Sequence, residues 1–409
     1  MRIAFFVNRF PALTETFILN QITGLLDRGH EVDIYAFKTD HTEKVHADIT
    51  KYNLLVRTHY IREMPPDKLW KLIITICRIL KHYKGLKILL NAIKYSMYYE
   101  RKIIIKALYA IVSIKGSGHY DIIHCQFGPN GILGIVLRDI GVIRGKIITS
   151  FLGYDITKNV KKYGKKVYKG LFVKGDLFLS IVEKWKLRLI ELGCDEKKIV
   201  VHRLGVDVNK FSFSVRNLRY NGIVRLLTIS RLIEKKGIEY AIRAVAEVLK
   251  KHPNIEYRIV GYGPLNEQLK GLIKELHVES NIKLLGSKNQ GEIIEILTAT
   301  DILMVPSVTS KQGDQEGTPV VIMEACSQGL PVLGTLHSGI PEIVQDGVSG
   351  FLVPEKDVSA LAEKLEYLIK YPEVWGKMGR AGREYIEEHF NIDKLNDRLV
   401  EIYKNLLTT

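Results

Sequence analysis

The stretch IAFFVNRFPALTETFILNQITGLLDRGHEVDIYAF, residues 3–37, decides the fold class. It opens with an apolar run, Ile3 to Val7, passes through a loop into a helical pattern from about Glu15 to Arg28, and ends in an alternating run, Glu31 to Phe37. Thr14 is placed to cap the helix. Strand, helix and strand in this order predict a βαβ unit with parallel strands.

The same alternation of strands and helical patterns runs through the rest of the chain. Further strands are predicted at 121–124, 146–151, 223–229, 256–260, 282–285, 302–305 and 331–334. The polar stretch 216–222 separates two halves. We therefore predict an α/β protein with two Rossmann-like, doubly wound parallel sheets. The first domain spans 1–215, the second 222–385, and a C-terminal helical segment, 386–409, packs back on the first domain.

The positive charge is concentrated in the first half. The net charge is +15. Lys and Arg number 36 against 19 Asp and Glu in residues 1–210, and 24 against 26 in residues 211–409. Between Lys51 and Gly116 the count is 14 against 3. Such a field attracts nucleic acid, anionic lipid or a phosphorylated substrate, and charge alone does not choose among them.

Within this basic region, apolar and cationic residues recur at helical spacing from about Lys68 to Lys115. We predict amphipathic helices that bind an anionic membrane surface. The alternative is that the apolar residues pack on the first sheet and leave a solvated basic face. The sequence contains no run of about 18 uncharged apolar residues, so no membrane-spanning helix is predicted. The expected location is the cytoplasm, at the inner face of the cell membrane.

The cysteines exclude two kinds of site. Cys77, Cys125, Cys194 and Cys326 are far apart and form neither a CxxC pair nor a Cys/His cluster. A disulfide framework and a zinc site are therefore not predicted, and a reducing compartment is expected. We predict neither a metal nor another cofactor.

The most informative motif runs from Glu316 to Ala325 and reads EGTPVVIMEA. Thr318 and Pro319 suit the cap and first turn of a short helix that is apolar on every side, which predicts a buried helix. Glu324 is anomalous there, because a buried carboxylate needs a partner or a ligand. A salt bridge or an edge position would also explain it.

Two weaker motifs follow strands in the same half. Arg231 and Lys236 lie in a loop that opens a helix, where two cations can neutralise a diphosphate, although basic surface loops are common. Gly261 and Gly263, in the sequence Gly-Tyr-Gly-Pro, permit close approach of a ligand to the backbone, although such a pattern is more often only a turn.

Together these motifs resemble the family 4 retaining glycosyltransferases of the GT-B fold. The family's Glu-x7-Glu signature matches Glu316 and Glu324, and its Arg and Lys five apart match Arg231 and Lys236. Residues 11–18 resemble the subset that builds bacterial exopolysaccharide and colanic-acid-type repeat units. The resemblance implies two domains facing a central cleft.

The resemblance also implies site residues. Arg231 and Lys236 would bind the donor diphosphate, Glu324 the ribose and Glu316 the transferred sugar. Catalysis would rest on Glu316, Arg231 and Lys236. The donor loops would be shaped by Gly317, Thr318, Pro319, Gly261 and Gly263, and the acceptor or cleft loops by Asn8, Arg9, Thr14, Glu15, Gly153 and Asp155. The implied partners are a nucleotide-sugar donor and a saccharide or lipid-linked saccharide acceptor.

One position departs from the family. Many members carry His where this chain has Leu152, near the donor sugar, so altered sugar contacts or weak activity are expected. Three rival functions stay open: a nucleotide-sugar 2-epimerase of the same fold, a donor-binding homologue without catalysis, and a binder of nucleic acid or another anionic ligand. Against nucleic acid, the basic residues lack interleaved aromatic platforms and no recognised motif occurs.

Overall fold

The computed structural model describes residues 1–12, 15–39, 46–61, 76–77, 79–80, 85–95, 101–111, 113–114 and 118–408. The chain forms two compact units. The first comprises Met1–His202 together with Asn396–Thr409, and the second comprises Arg203–Leu395.

The first unit is built on a parallel sheet, with seven strands among the described residues. The sheet order is β3-β2-β1-β4-β5-β6-β7. The strands are β1 (Arg2–Arg9), β2 (Glu31–Lys38), β3 (Thr58–Tyr60), β4 (His119–Gln126), β5 (Arg144–Phe151), β6 (Leu177–Ser180) and β7 (Ile199–Val201). The central strands are apolar and buried because helices cover both faces of a parallel sheet. The predicted βαβ opening is confirmed by the parallel pairing of β1 with β2.

The described helices of the first unit connect these strands. They are α1 (Thr16–Asp27), α2 (Ala47–Lys51), α3 (Gly85–Tyr95), α4 (Arg101–Ile111), α5 (Gly128–Asp139), α6 (Lys158–Tyr163), α7 (Lys169–Lys174) and α8 (Glu183–Glu191). Of the predicted basic amphipathic segment, α3 and α4 are described, whereas residues 68–75, 78, 81–84, 96–100, 112 and 115 lie outside the described residues. Thr14, the predicted cap of α1, also lies outside them.

The second unit repeats the architecture with six parallel strands. Their order is β10-β9-β8-β11-β12-β13. The strands are β8 (Val224–Ile229), β9 (Ile255–Val260), β10 (Ile282–Gly286), β11 (Ile302–Val305), β12 (Val332–Thr335) and β13 (Gly350–Val353). The helices are α9 (Ile238–Leu249), α10 (Asn266–Glu275), α11 (Gln290–Thr298), α12 (Val320–Ser327), α13 (Val358–Lys370) and α14 (Glu373–His389). The core of this unit includes Trp375, which is fully buried and donates to Leu368 O at 2.8 Å.

The last helix, α15 (Ile392–Thr408), begins in the second unit and continues into the first. Leu399, Val400 and Tyr403 belong to the same apolar cluster as Phe5 and Ile34 of the first sheet. The C-terminal residues of the chain thus complete the core of the unit that the N-terminal residues begin.

Candidate active site

The second sheet reverses its strand order between β8 and β11. These two strands pair directly, while β9 and β10 extend the sheet on one side and β12 and β13 on the other. In open parallel sheets, ligands bind in the crevice at such a switch point, beyond the carboxyl ends of the strands. The loops after β8 (residues 230–237) and after β11 (306–319) therefore flank the expected ligand site.

The loop after β8 carries the predicted cations. Arg231 is exposed, and Lys235 and Lys236 end a short 3-10 turn. Gly237 follows at φ +60°, and a Cβ there would lie 1.9 Å from Pro306 O. Glycine is thus required for this turn to lie against the loop after β11.

The carboxylate of Glu316 contacts the ammonium groups of both lysines. Its Oε2 lies 2.9 Å from Lys236 Nζ, and its Oε1 lies 3.6 Å from Lys235 Nζ. Lys235 is also 3.3 Å from Asp314 Oδ1 and donates to Gln315 O at 3.1 Å. Burial alone would raise the pKa of Glu316, but the two ammonium groups outweigh it and lower the pKa to about 2. Glu316 is therefore a fixed negative charge at neutral pH.

The backbone of Glu316 is held by the loop after β12. Its N–H donates to His337 Nε2 at 3.0 Å, and its carbonyl accepts a hydrogen bond from Ser338 Oγ. On its other side His337 Nδ1 lies 2.6 Å from Oε1 of Glu355, which follows β13. Neither His337 nor Glu355 was predicted from the sequence. The only sequence signal for His337 is that it follows a predicted strand, and Glu355 follows a strand that is observed but was not predicted.

Glu324 lies on α12 and is half-buried. Burial raises its pKa to about 7, against a smaller opposing effect of a hydrogen bond with the Gln290 side chain. The two glutamates of the Glu-x7-Glu signature therefore differ in kind. Glu316 is stabilised as an anion by lysines, whereas the Glu324 carboxylate is destabilised and favours a hydrogen-bond donor.

The start of α12 differs from the prediction. Pro319 is the N-cap, with ψ 105°, and the helix begins at Val320. The predicted capping role of Thr318 is wrong, because the extended Pro319 moves the helical dihedral angles one residue further along the chain. The helix is also less buried than predicted, since Val320, Val321 and Glu324 are partly exposed.

Gly261 and Gly263 permit close contact with the protein's own backbone. A Cβ on Gly261 would lie 1.8 Å from Ser230 O, and one on Gly263 would lie 2.4 Å from Leu232 O. Leu232 N donates to Tyr262 O at 3.0 Å. The two glycines therefore fix the conformation of the loop that carries Arg231, whatever else they contact.

Several buried oxygens in the loops after β8 and β11 have no hydrogen-bond partner among the described residues. They are Ser230 Oγ, Ser307 Oγ, Thr318 Oγ1 and Glu316 Oε1. A buried polar atom without a partner is costly, so such groups generally serve a ligand or ordered water. Their concentration in these loops fits a polar ligand at the switch point.

The first sheet has its own switch point, between β1 and β4. Asn8, at the end of β1, donates to Tyr154 OH at 3.1 Å and accepts from Asn130 Nδ2 at 3.1 Å. Arg9 is exposed and Glu15 is partly exposed. The structure thus brings Asn8 together with the loops after β4 and β5.

Asp155 organises the loop after β5. It is fully buried, and its carboxylate accepts from the N–H groups of Gly128 (3.0 Å), Leu152 (3.1 Å) and Gly153 (2.9 Å). These bonds fix Gly153 and the half-buried Leu152 beside the start of α5. The Asp155 carboxylate is therefore enclosed by its own loop and the start of α5 and is not exposed to a ligand.

His124 is structural. It is fully buried, with Nδ1 2.6 Å from Tyr403 OH and Nε2 2.7 Å from Ser150 Oγ. Burial lowers its pKa to about 3, so the imidazole is neutral.

The described residues contain neither a cluster of metal ligands nor a membrane-spanning helix. No group of three or more His, Cys, Asp or Glu side chains there could hold a metal ion. Within the same residues no helix has the length and apolar character needed to cross a membrane.

Comparison with known proteins identifies the family. The model for Glycosyltransferase Family 4 matches residues 14–210, and that for Glycosyl transferases group 1 matches residues 212–385. The putative colanic acid biosynthesis glycosyltransferase WcaL of Salmonella typhimurium is 38% identical over 99% of this chain and 100% of its own. The chain belongs to glycosyltransferase family 4.

A second relative and a solved structure are also similar to this family 4 glycosyltransferase. The amylovoran biosynthesis glycosyltransferase AmsK of Erwinia amylovora is 37% identical over 99% of this chain and 100% of its own. The crystal structure of HepE from Anabaena, in complex with UDP and glucose, matches with a TM-score of 0.72 and 19% identity, covering 99% of this chain and 100% of HepE. The predicted GT-B class of two Rossmann-like parallel-sheet domains and the predicted enzyme class are confirmed.

Proposed function

We propose that the enzyme transfers a sugar, with retention of configuration, from a nucleoside diphosphate sugar to a saccharide acceptor in the assembly of a cell-surface polysaccharide. The observation that carries the proposal is the pairing of Lys236 with Glu316, 2.9 Å apart, at the switch point of the second sheet. Cation, carboxylate and unpartnered hydroxyls in one place suit a ligand that is both anionic and rich in hydroxyls.

The donor roles follow from the chemistry of each group. Arg231 and Lys236 hold the diphosphate and stabilise the charge that builds on it as the glycosidic bond breaks. Glu324 accepts from the ribose hydroxyls, and Glu316 accepts from the transferred sugar. The loops of Gly317, Thr318, Pro319, Gly261 and Gly263 shape the site. The acceptor hydroxyl attacks the same face of the sugar and gives its proton to the leaving phosphate.

Lys236 then has two anionic partners. Without donor it pairs with Glu316, and with donor it turns toward the diphosphate. Lys235 lies 3.6 Å from the other oxygen of Glu316 and keeps that carboxylate compensated during the exchange. The exchange retains an ion pair throughout, so binding the diphosphate does not leave Glu316 as an unpaired buried charge.

The acceptor side is proposed for the first unit. Asn8 and Arg9 end β1 and Glu15 follows it, Gly153 and Asp155 follow β5, and Thr14 lies outside the described residues. WcaL and AmsK are named as glycosyltransferases of colanic acid and amylovoran biosynthesis, respectively. A repeat unit of such a polymer, carried on a lipid-linked diphosphate, is the acceptor that we propose.

We also propose attachment to anionic membrane from the cytoplasmic side. On α3, Leu86, Leu90 and Ile93 are 65%, 59% and 69% exposed and recur at helical spacing. Lys87 and Lys94 are exposed beside them. An apolar stripe flanked by cations suits the interface of an anionic leaflet. The proposed partners include no nucleic acid, and the proposed reaction needs no metal or other cofactor.

A panel of nucleotide sugars tests the donor proposal first. A ligand that binds the folded protein raises its apparent stability, so UDP-, GDP-, ADP- and dTDP-sugars are compared by thermal shift in wild type and K236A. The expected result is one preferred donor whose shift is lost in K236A and kept in K270A, a control at an exposed lysine. A donor-only assay separates the 2-epimerase, which converts the sugar without an acceptor. A shift that K236A leaves unchanged would refute the assigned site.

A further inference from the structure

Glu316 is fixed from two directions by consecutive side chains. Lys235 and Lys236 contact its carboxylate, while His337 and Ser338 bond its N–H and its carbonyl. Both backbone groups of one residue are thus held by side chains of another loop. Regular secondary structure does not hold this peptide, since Glu316 precedes α12 by four positions.

The hydrogen bonds define the protonation of His337. The backbone N–H of Glu316 can only donate, so Nε2 of His337 accepts and carries no proton. Nδ1 then carries the proton and donates to Glu355 Oε1 at 2.6 Å. Glu355 is itself fixed, because Thr309 N–H donates to its Oε2 at 2.7 Å. A carboxylate that bonds one imidazole nitrogen in this way sets which tautomer faces the other partner.

We infer that His337, oriented by Glu355, is a positioning residue that places the Glu316 carboxylate for the transferred sugar. The inference rests on the proposed role of Glu316. It extends the site to the loops after β12 and β13, neither of which carries a residue of the Glu-x7-Glu signature. His337 itself touches no substrate in this role and acts through the Glu316 peptide.

Two features distinguish this arrangement from ordinary loop packing. His337 is fully buried, so its two ring nitrogens are not exposed to solvent. Ser338 adopts φ +50°, a left-handed conformation that residues other than glycine seldom adopt, and in it the hydroxyl reaches Glu316 O. Uncommon backbone conformations that orient a residue in this way are concentrated at functional sites.

The test compares four variants. H337A removes the acceptor for Glu316 N–H. H337Q keeps one, because the side-chain oxygen of Gln can occupy the position of Nε2. E355A removes the group that orients His337, at a side chain that is 28% exposed, and with it the acceptor of the Thr309 N–H. H252A is the matched control, since His252 lies 3.5 Å from Glu366 in another His–Glu pair of the same unit.

Turnover is measured with the nucleotide sugar that the thermal-shift panel selects, and affinity is measured for its free nucleoside diphosphate. Misplacing a substrate-contacting group by about 1 Å can cost about 100-fold in rate. We expect H337A to lower kcat about 10- to 100-fold, E355A to lower it less, and H337Q to recover most of the loss. Nucleoside diphosphate affinity should change less than about threefold, because its proposed partners Arg231 and Lys236 lie on the loop after β8, whereas His337 bonds the Glu316 backbone.

Three outcomes would overturn the inference: full turnover in H337A, no recovery in H337Q, or a loss of nucleoside diphosphate affinity equal to the loss of turnover. An effect of H252A as large as that of H337A would show general destabilisation and would also count against it. E316Q distinguishes a failure of the proposed role of Glu316 from a failure of the inferred role of His337. If E316Q keeps full turnover, the proposed role of Glu316 fails; if E316Q is impaired and H337A is not, only the role of His337 fails.

Discussion

Replacing Glu324 by Gln should stabilise the ligand-free protein and weaken donor binding. Burial raises the pKa of Glu324 from 4.5 to about 7. The unfolded chain loses this proton near pH 4.5 and the folded chain near pH 7, so the folded state binds more protons between those values. Stability from this group is therefore complete below pH 4.5 and is lost as pH rises to about 7.

The magnitude follows from the shift. At 1.36 kcal/mol per pKa unit, the ionised Glu324 costs about 3 kcal/mol at pH 8. Gln still buries a polar amide, so we expect E324Q to gain about 1 to 3 kcal/mol. For a unit of the size of Arg203–Leu395, this corresponds to a rise in Tm of roughly 2 to 10 °C.

The assay is thermal unfolding without nucleotide at pH 5 and pH 8. The gain in E324Q should be small at pH 5 and should widen toward pH 8. Donor affinity of the wild type should rise as pH passes through 7, because the ionised carboxylate accepts more strongly from ribose hydroxyls. E324Q should show weaker binding and no such rise.

Glu316 provides the opposite control. Its pKa is lowered to about 2, so its contribution to stability is present above pH 4.5 and is lost only as pH falls toward 2. E316Q leaves Lys235 and Lys236 without their carboxylate and should lose about 3 kcal/mol, equally at pH 5 and pH 8. If E324Q is no more stable than wild type at pH 8, or if its gain does not shrink at pH 5, the reasoning about Glu324 is wrong.

Three other predictions concern chemistry and location. R231A and K236A should each lower kcat by about 100-fold or more, measured with the selected donor, because each cation stabilises charge that builds on the leaving phosphate; near-normal turnover in either would contradict its role. L152H should shift preference toward donor sugars with a hydroxyl at the facing carbon, or restore activity if the natural enzyme is weak. A competition assay with deoxy and hydroxylated sugars measures the preference. An unchanged donor profile and an unchanged rate would show that Leu152 has no role in handling the sugar. Sedimentation of the protein with liposomes should need anionic lipid and should fall at high salt. It should drop in L90E but not in L187E, which changes an equally exposed leucine on another helix. Equal recovery with neutral vesicles would refute attachment by charge.

The parallel strands were the most predictable part of the fold. Strands covered on both faces are continuous apolar runs, and the predicted bounds of β11, Ile302–Val305, agree with the structure residue for residue. The predicted strand 282–285 lacks only Gly286 of the observed β10. In both elements the chain's own sequence contains the whole signal.

The site was less predictable where it depends on distant loops. The interval between Glu316 and Glu324 shows a signature, and the two lysines lie in a recognisable strand-to-helix loop. Nothing in the sequence shows that Lys235 is buried against Glu316, because that contact joins the ends of β8 and β11. His337 was missed for the same reason, since its partner in the chain is 21 residues earlier.

The shared helix α15 sets an order of events during synthesis. Domains generally fold as they emerge, from the N-terminus onward. Here Tyr403, which packs in the first core and bonds His124 at 2.6 Å, follows the whole second unit in the chain. The second unit, Arg203–Leu395, is therefore fully synthesised before the first can close its core. A released chain that ends at residue 395 should bury Trp375 while His124 still lacks its phenol partner.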